Sequence, residues 1–148
     1  MSTCILLASF HHGNTKLLVD EICKSDEVTV IDVLNVKNYD LSSFDKIGIA
    51  SGTYGFNVHE EMINFVKENL TQDKNVFIIT TSGMGKPFTG VLKTLLKDKN
   101  ANVIGEFNCG GFCDLKLFKW ICGGISKGRP NDMDLVEVKH FYERIKNM

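Results

Sequence analysis

The residues best suited to chemistry fall in four stretches rich in hydroxyl, amide, aromatic and glycine residues. They are Ser9-Phe10-His11-His12-Gly13-Asn14-Thr15, Ser51-Gly52-Thr53-Tyr54-Gly55-Phe56-Asn57, Ser82-Gly83-Met84-Gly85-Lys86-Pro87, and the long segment from Cys109 to Pro130. The first lies between the apolar run Cys4–Ala8 and a stretch in which Leu17, Leu18, Ile22 and Cys23 recur at helical spacing. A helix is therefore expected to begin near Asn14 or Thr15. The first N–H groups of a helix lack internal partners and its dipole favours negative charge, so such a junction suits an anion. Ser9, Asn14 and Thr15 add side-chain donors there, and Gly13 permits positive φ or close backbone approach. The chemistry predicted is a phosphate cradle, although the same residues would also serve an ordinary capped helix start.

Tyr54 and Phe56 stand where a planar ring can be stacked, flanked by the permissive Gly52 and Gly55. The bland alternative is a pair of loop aromatics covering the edge of the core. Phe112 and Trp120 are expected mainly to anchor the long fourth stretch. Phosphate-binding and ring-stacking features on one molecule imply a ligand with a phosphate at one end and a flat apolar body at the other.

The elements that must position these stretches alternate along the chain. Strands are expected at Cys4–Ala8, Glu27–Val33, Lys46–Ser51, Asn75–Thr81 and Asn102–Asn108. Helices are expected after Asn14, over Val58–Leu70, from about Pro87 through Leu96, and from Asn131 or Asp132 onward, with Pro87 suited to a first helical position. Several strands are apolar on both faces, the pattern of a parallel sheet covered by helices on both sides. In such a sheet ligands bind beyond the carboxyl ends of the strands, and all four stretches follow a strand. The loops at the other edge, such as Ser25-Asp26 and Asp98-Lys99-Asn100, are merely polar. Cys109–Pro130 is too long for an ordinary connection, which points to function or mobility.

The 148 residues fit one domain spanning residues 1–148, and 43% hydrophobic with 24% charged residues is ordinary for a globular chain. A net charge of −1 argues neither for nucleic acid nor for a strongly acidic docking protein, and no nucleic-acid partner is expected. No apolar run is long enough to span a bilayer, and no basic region precedes the first apolar segment, so a cytoplasmic location without a signal peptide is expected. Cys4, Cys23, Cys109, Cys113 and Cys122 lack the spacing of a zinc or iron–sulfur site. Reduced thiols are expected, with the Cys109, Cys113 and Cys122 group the one candidate for redox activity.

Other alternating folds fit poorly. A receiver domain needs an acidic pocket and a phosphoacceptor Asp where this chain has Ser9 and Ser51-Gly52. A low-molecular-weight tyrosine phosphatase needs Cys and Arg in one phosphate loop, and the arginines here are Arg129 and Arg144. The dinucleotide glycine fingerprint and the Walker A motif are absent, and His59-Glu60-Glu61 lacks the second histidine of a zinc protease. It reads better as the polar start of a helix.

Ser9-x-x-x-Gly13-Asn14-Thr15 after the first strand resembles the phosphate loop of the flavodoxin family. Ser51-Gly52-Thr53-Tyr54-Gly55-Phe56 is similar to that family's isoalloxazine loop, and Ser82-Gly83-Met84-Gly85 to its third flavin-contacting loop. The pattern covers nearly the whole chain. The resemblance implies an α/β flavodoxin-like three-layer sandwich, with a five-stranded parallel sheet in the order 2-1-3-4-5. It implies non-covalent FMN held by Ser9, His11, His12, Gly13, Asn14 and Thr15, by Ser51, Gly52, Thr53, Tyr54, Gly55 and Phe56, and by Thr81, Ser82, Gly83 and Gly85. It implies electron transfer with a redox partner protein. The alternative is an FMN-dependent oxidoreductase acting on a quinone-like or porphyrin-like substrate, with Cys109–Pro130 as a lid. His11 and His12 depart from the small residues usual in the phosphate loop. The near-neutral charge departs from the strongly acidic electron shuttles, and Lys116, Lys119, Lys127 and Arg129 face only Asp114 in the long segment.

Overall fold

In the computed structural model, which describes residues 1–10, 13–112 and 127–148, strands and helices alternate as the apolar pattern requires. The parallel strands are β1 (Thr3–Ala8), β2 (Thr29–Asp32), β3 (Lys46–Tyr54), β5 (Asn75–Ser82) and β6 (Asn102–Gly110). A two-residue strand, β4 (Asn57–Val58), pairs antiparallel with the end of β3. The helices are α1 (Asn14–Cys23), α2 (Glu60–Asn69), α3 (Gly90–Asp98) and α4 (Asp132–Lys146). The sheet order is β2-β1-β3-β5-β6, which is 2-1-3-4-5 once the short β4 is set aside.

Every residue of β1 is buried, because both faces of the sheet are covered. On one face Leu6, Ile47, Ile49 and Ile78 pack with Met62, Phe65 and Val66 of α2 and Leu92 and Leu96 of α3. On the other, Ile5, Leu7, Phe77 and Ile79 pack with Leu18 and Ile22 of α1 and Phe141 and Tyr142 of α4. Among the described residues no helix is long and apolar enough to cross a membrane.

The boundaries differ from the sequence pattern mainly at the functional edge. β3 runs on through Gly52, Thr53 and Tyr54, which read as loop, because Thr53 and Tyr54 pair back onto Val58 and Asn57. Val58 is thereby taken into a strand, and α2 starts at Glu60 with His59 as its N-cap. Pro87 does not open a helix. The Ser82 hydroxyl accepts from Lys86 N–H at 2.9 Å and donates to Lys86 O at 2.8 Å, which closes a turn before Pro87. α3 then begins only at Gly90. The start of α4 is as expected, with a capping box in which Asn131 and Asp134 satisfy each other's backbone N–H.

Candidate functional site

The carboxyl ends of β1, β3, β5 and β6 lie along one edge of the sheet and carry the four stretches. Gly13 has a φ of +63° and is the N-cap of α1, where its N–H donates to Phe10 O at 3.1 Å. The N-cap residue Gly13 has no side chain to cap α1, and the first turn holds no carboxylate. α2 and α4 each have a side-chain cap from their N-cap residue and two acidic residues in the first turn, whereas α3, like α1, has neither. Anything that neutralises the positive end of the α1 dipole must come from elsewhere. Ser9 leans over this end, its Oγ accepting from Lys16 N–H at 3.3 Å. His11 and His12 lie outside the described residues.

Two members of the first stretch are tied inward. The hydroxyls of Thr15 and Thr81 share a hydrogen bond at 2.9 Å, and both residues are buried. Asn14 Nδ2 donates to Phe112 O at 3.0 Å, so it joins the first stretch to the start of the fourth. The Phe112 N–H in turn donates to Arg129 O at 2.9 Å, which brings the two described ends of the Cys109–Pro130 segment together.

The second stretch is a β-hairpin. Gly55 (φ +59°) and Phe56 (φ +60°) form its two-residue turn between Tyr54 and Asn57, and positive φ at both positions is the type I′ geometry. Glycine meets this demand freely, whereas a bulky residue rarely adopts it. The Phe56 ring is 72% exposed and meets Phe88 edge-on at 5.4 Å. Tyr54 reaches back across the edge, its Oη accepting from Phe10 N–H at 3.0 Å. Burial raises the Tyr54 phenol pKa, while the hydrogen bond from Phe10 pulls the other way. Ser51 is fully buried and acts as a brace, accepting from His59 N–H at 3.0 Å and donating to Gly52 O at 2.8 Å. Thr53 Oγ1 is the one buried side-chain oxygen without a partner among the described residues.

In the third stretch Gly85 has a φ of +65° and its N–H donates to Ser82 O at 3.1 Å, while Gly111 N–H reaches the same carbonyl at 2.9 Å. Gly83 follows Ser82 in this turn. Thr89 fastens the end of the loop to β6, donating to Glu106 Oε1 at 2.9 Å, and Lys93 pairs with the other oxygen of Glu106. The runs 9–15, 51–59 and 82–89 contain no Asp or Glu. An edge with an open helix N-terminus and no carboxylate in these loops suits an anionic ligand.

Of the three clustered cysteines, Cys109 is buried and its thiol is pushed up to about 12, chiefly by that burial. It is therefore protonated and unreactive at neutral pH. Cys113 and Cys122, like Trp120, lie outside the described residues. No group of His, Cys, Asp or Glu suited to a metal ion occurs among the described residues.

These residues fit the FMN implied by the sequence resemblance. The α1 terminus, with no carboxylate in its first turn, suits its phosphate. The Thr53 hydroxyl, buried and without a partner among the described residues, is a polar group in the hairpin that a ligand's donor or acceptor would satisfy. Among the described residues nothing lies within 4 Å of where a Cβ on Gly13 would stand. A family model described as a flavodoxin domain matches residues 5–121. The chain belongs to the flavodoxin family. A curated relative, an uncharacterized protein of Methanocaldococcus jannaschii, is 30% identical over 148 residues, covering 98% of each chain. Among solved structures, a flavodoxin from the domain Archaea superposes with a TM-score of 0.70 at 20% identity, covering 99% of this chain and 97% of that one. A Streptococcus pneumoniae flavodoxin gives a TM-score of 0.69 at 18% identity, covering 99% of both. At those identities the two structures speak for the flavodoxin fold, which this chain has.

Reasoning from sequence missed what Ser51 and Asn14 do within the chain: one braces the hairpin, the other bridges two loops. Their partners are close in space but 8 and 98 residues away along the chain, so no local signal marked them.

Proposed function

We propose that this flavodoxin-family chain binds FMN non-covalently and exchanges electrons with a redox partner protein in the cytoplasm. The observation that carries the reading is the joining of the carboxylate-free α1 terminus to the aromatic hairpin through the Phe10–Tyr54 hydrogen bond. Ser9, Gly13 and the first-turn N–H groups of α1 would hold the phosphate, with Asn14 and Thr15 fixing the loop from behind. His11 and His12 would add donors beside them. The hairpin Gly52–Phe56 would flank the ring, with Tyr54 and Phe56 supplying aromatic surface, Thr53 Oγ1 a hydrogen bond, and Ser51 the brace. Thr81, Ser82, Gly83 and Gly85 would form the third wall. Bound FMN supplies one- and two-electron chemistry, and the protein contributes binding, orientation and electrostatics. A loop edge without carboxylates favours the negative charge of a phosphate and of a reduced ring.

The absorbance spectrum of the purified chain tests this. Flavin bands, or their recovery on adding FMN with saturable quenching of flavin fluorescence, are the expected result. A colourless protein that takes up no FMN overturns the proposal. The oxidoreductase alternative predicts steady turnover of a small quinone with a nicotinamide donor, whereas a carrier is reduced only through a partner reductase.

A further inference from the structure

An open groove lies beside the hairpin, between the start of α2 and the start of α3, with a volume of about 470 Å³. Its apolar lining is the Tyr54 ring, Val58, Ile63 and Val91, and its polar lining is Asn57, His59 and Glu60. This volume lies within the range of small-molecule sites, about 300–1,000 Å³, and a mainly apolar wall with a few polar groups is their usual composition. The groove follows from the local fold. β4 takes up Asn57 and Val58, His59 turns the chain, and α2 starts two residues later than the apolar pattern suggests.

The polar groups fix what the groove can hold. His59 Nδ1 accepts from Glu61 N–H at 3.1 Å, so in the neutral ring the proton sits on Nε2. Asn57 Oδ1 accepts from Val58 N–H at 2.9 Å, which leaves its NH₂ as the remaining polar group. Neither His59 Nε2 nor Asn57 Nδ2 has a partner among the described residues. The His59 ring is itself held edge-on against Tyr54 at 4.9 Å. Two donors beside aromatic and aliphatic surface call for a flat, mostly apolar molecule that brings a hydrogen-bond acceptor, and the Glu60 carboxylate in the lining requires that molecule to be uncharged rather than anionic.

We infer that this groove is a second binding site, for a small planar molecule whose carbonyl oxygen accepts hydrogen bonds from His59 and Asn57 while its ring packs on Tyr54, Val58, Ile63 and Val91. The site shares Tyr54 with the residues assigned to FMN and takes Asn57 from the same hairpin, while its other lining residues lie outside those loops. The binding itself does not depend on FMN.

The test is a titration of the isotope-labelled full chain, with and without FMN, followed by amide chemical shifts. The probes are 1-indanone, a redox-inert bicyclic ketone, and indane, the same skeleton without the oxygen. The expected result is saturable shifts over residues 54–63 and at Val91 with 1-indanone, and at least tenfold weaker binding of indane. Val91→Trp, a change at a half-exposed helical position, is expected to fill the groove and abolish the shifts while leaving FMN uptake unchanged. Shifts confined to residues 9–15 and 82–85, no saturation, equal affinity for the two probes, or undiminished binding to Val91→Trp would each overturn the inference. Because the titration also runs without FMN, a failure of flavin binding is read separately.

Discussion

The Tyr54 hydroxyl accepts a hydrogen bond from Phe10 N–H at 3.0 Å across the carboxyl edge of the sheet, between residues 44 positions apart. It holds the hairpin to the first loop, and so sets the distance between the two ends of any ligand that spans them. Tyr54→Phe keeps the ring and removes the acceptor. A net loss of about 1 kcal/mol in stability is expected from one such bond, with FMN held about fivefold more weakly. Urea unfolding and fluorescence titration measure the two. Unchanged FMN affinity would show that the bond does not organise the site.

The hairpin turn gives a sharper case. Gly55 adopts φ +59° with nothing within 4 Å of a Cβ position, so Gly55→Ala adds backbone strain without a steric clash. An L-residue in this region costs about 1–2 kcal/mol, and urea unfolding is expected to show a loss of that size. The same substitution should shift the midpoint potential of bound FMN, since the turn lies where the ring is proposed to rest. Potentials equal to those of the unaltered protein would remove the turn from the redox argument.

Thr15 and Thr81, both expected at the ligand site, also hydrogen-bond to each other. Their 2.9 Å contact is buried, so Thr15→Val or Thr81→Val alone strands the other hydroxyl, at a cost of about 1–3 kcal/mol. The double variant removes both and is expected to be more stable than the sum of the single losses predicts. A double-mutant cycle by denaturant unfolding measures the coupling, and strict additivity would mean that the contact carries no weight.

Much of the fold was legible because alternation of apolar strands and amphipathic helices is a local, periodic signal. Asn131 and Asp134 at the start of α4, and His59-Glu60-Glu61 at the start of α2, are likewise readable from a few neighbouring residues. The extension of β3 was not, since Gly55-Phe56 lacks the Asn-Gly or Asp-Gly signature of a type I′ turn and Phe56 takes φ +60° against its own preference. Nor was Lys46, which opens β3 yet is only 2% exposed. Its Nζ donates to Ile145 O at 2.9 Å and to Lys146 O at 2.5 Å, placing a cation at the carboxyl end of α4. A partner 99 residues away leaves no trace in the strand's own sequence. The loops of the candidate site were legible as a set, because each follows a strand. The inward or outward direction of each hydroxyl depended on contacts between loops.

Asp134 supplies the clearest dependence on pH. Burial raises the pKa of its carboxyl, but hydrogen bonds from Arg129 and from the Asn131 backbone, with the Arg129 charge, outweigh that and hold it below the ordinary carboxylate value. Arg129 Nε and Nη2 each meet one carboxylate oxygen, at 2.6 and 2.5 Å. A group whose pKa is lower folded than unfolded binds more protons when unfolded, so stability rises with pH through that interval. The contribution is complete above the unfolded carboxylate value of about 4, and is lost as the pH falls through the lower folded value. Asp134→Asn keeps the shape but removes the charge, and is expected to cost about 2 kcal/mol at neutral pH through the weakened cap and pair. Its unfolding free energy should also fall less steeply below pH 4 than that of the unaltered chain. Denaturant unfolding at pH values from 7 down to 2.5 measures both. Parallel curves for the two proteins would place the acid sensitivity in other carboxylates.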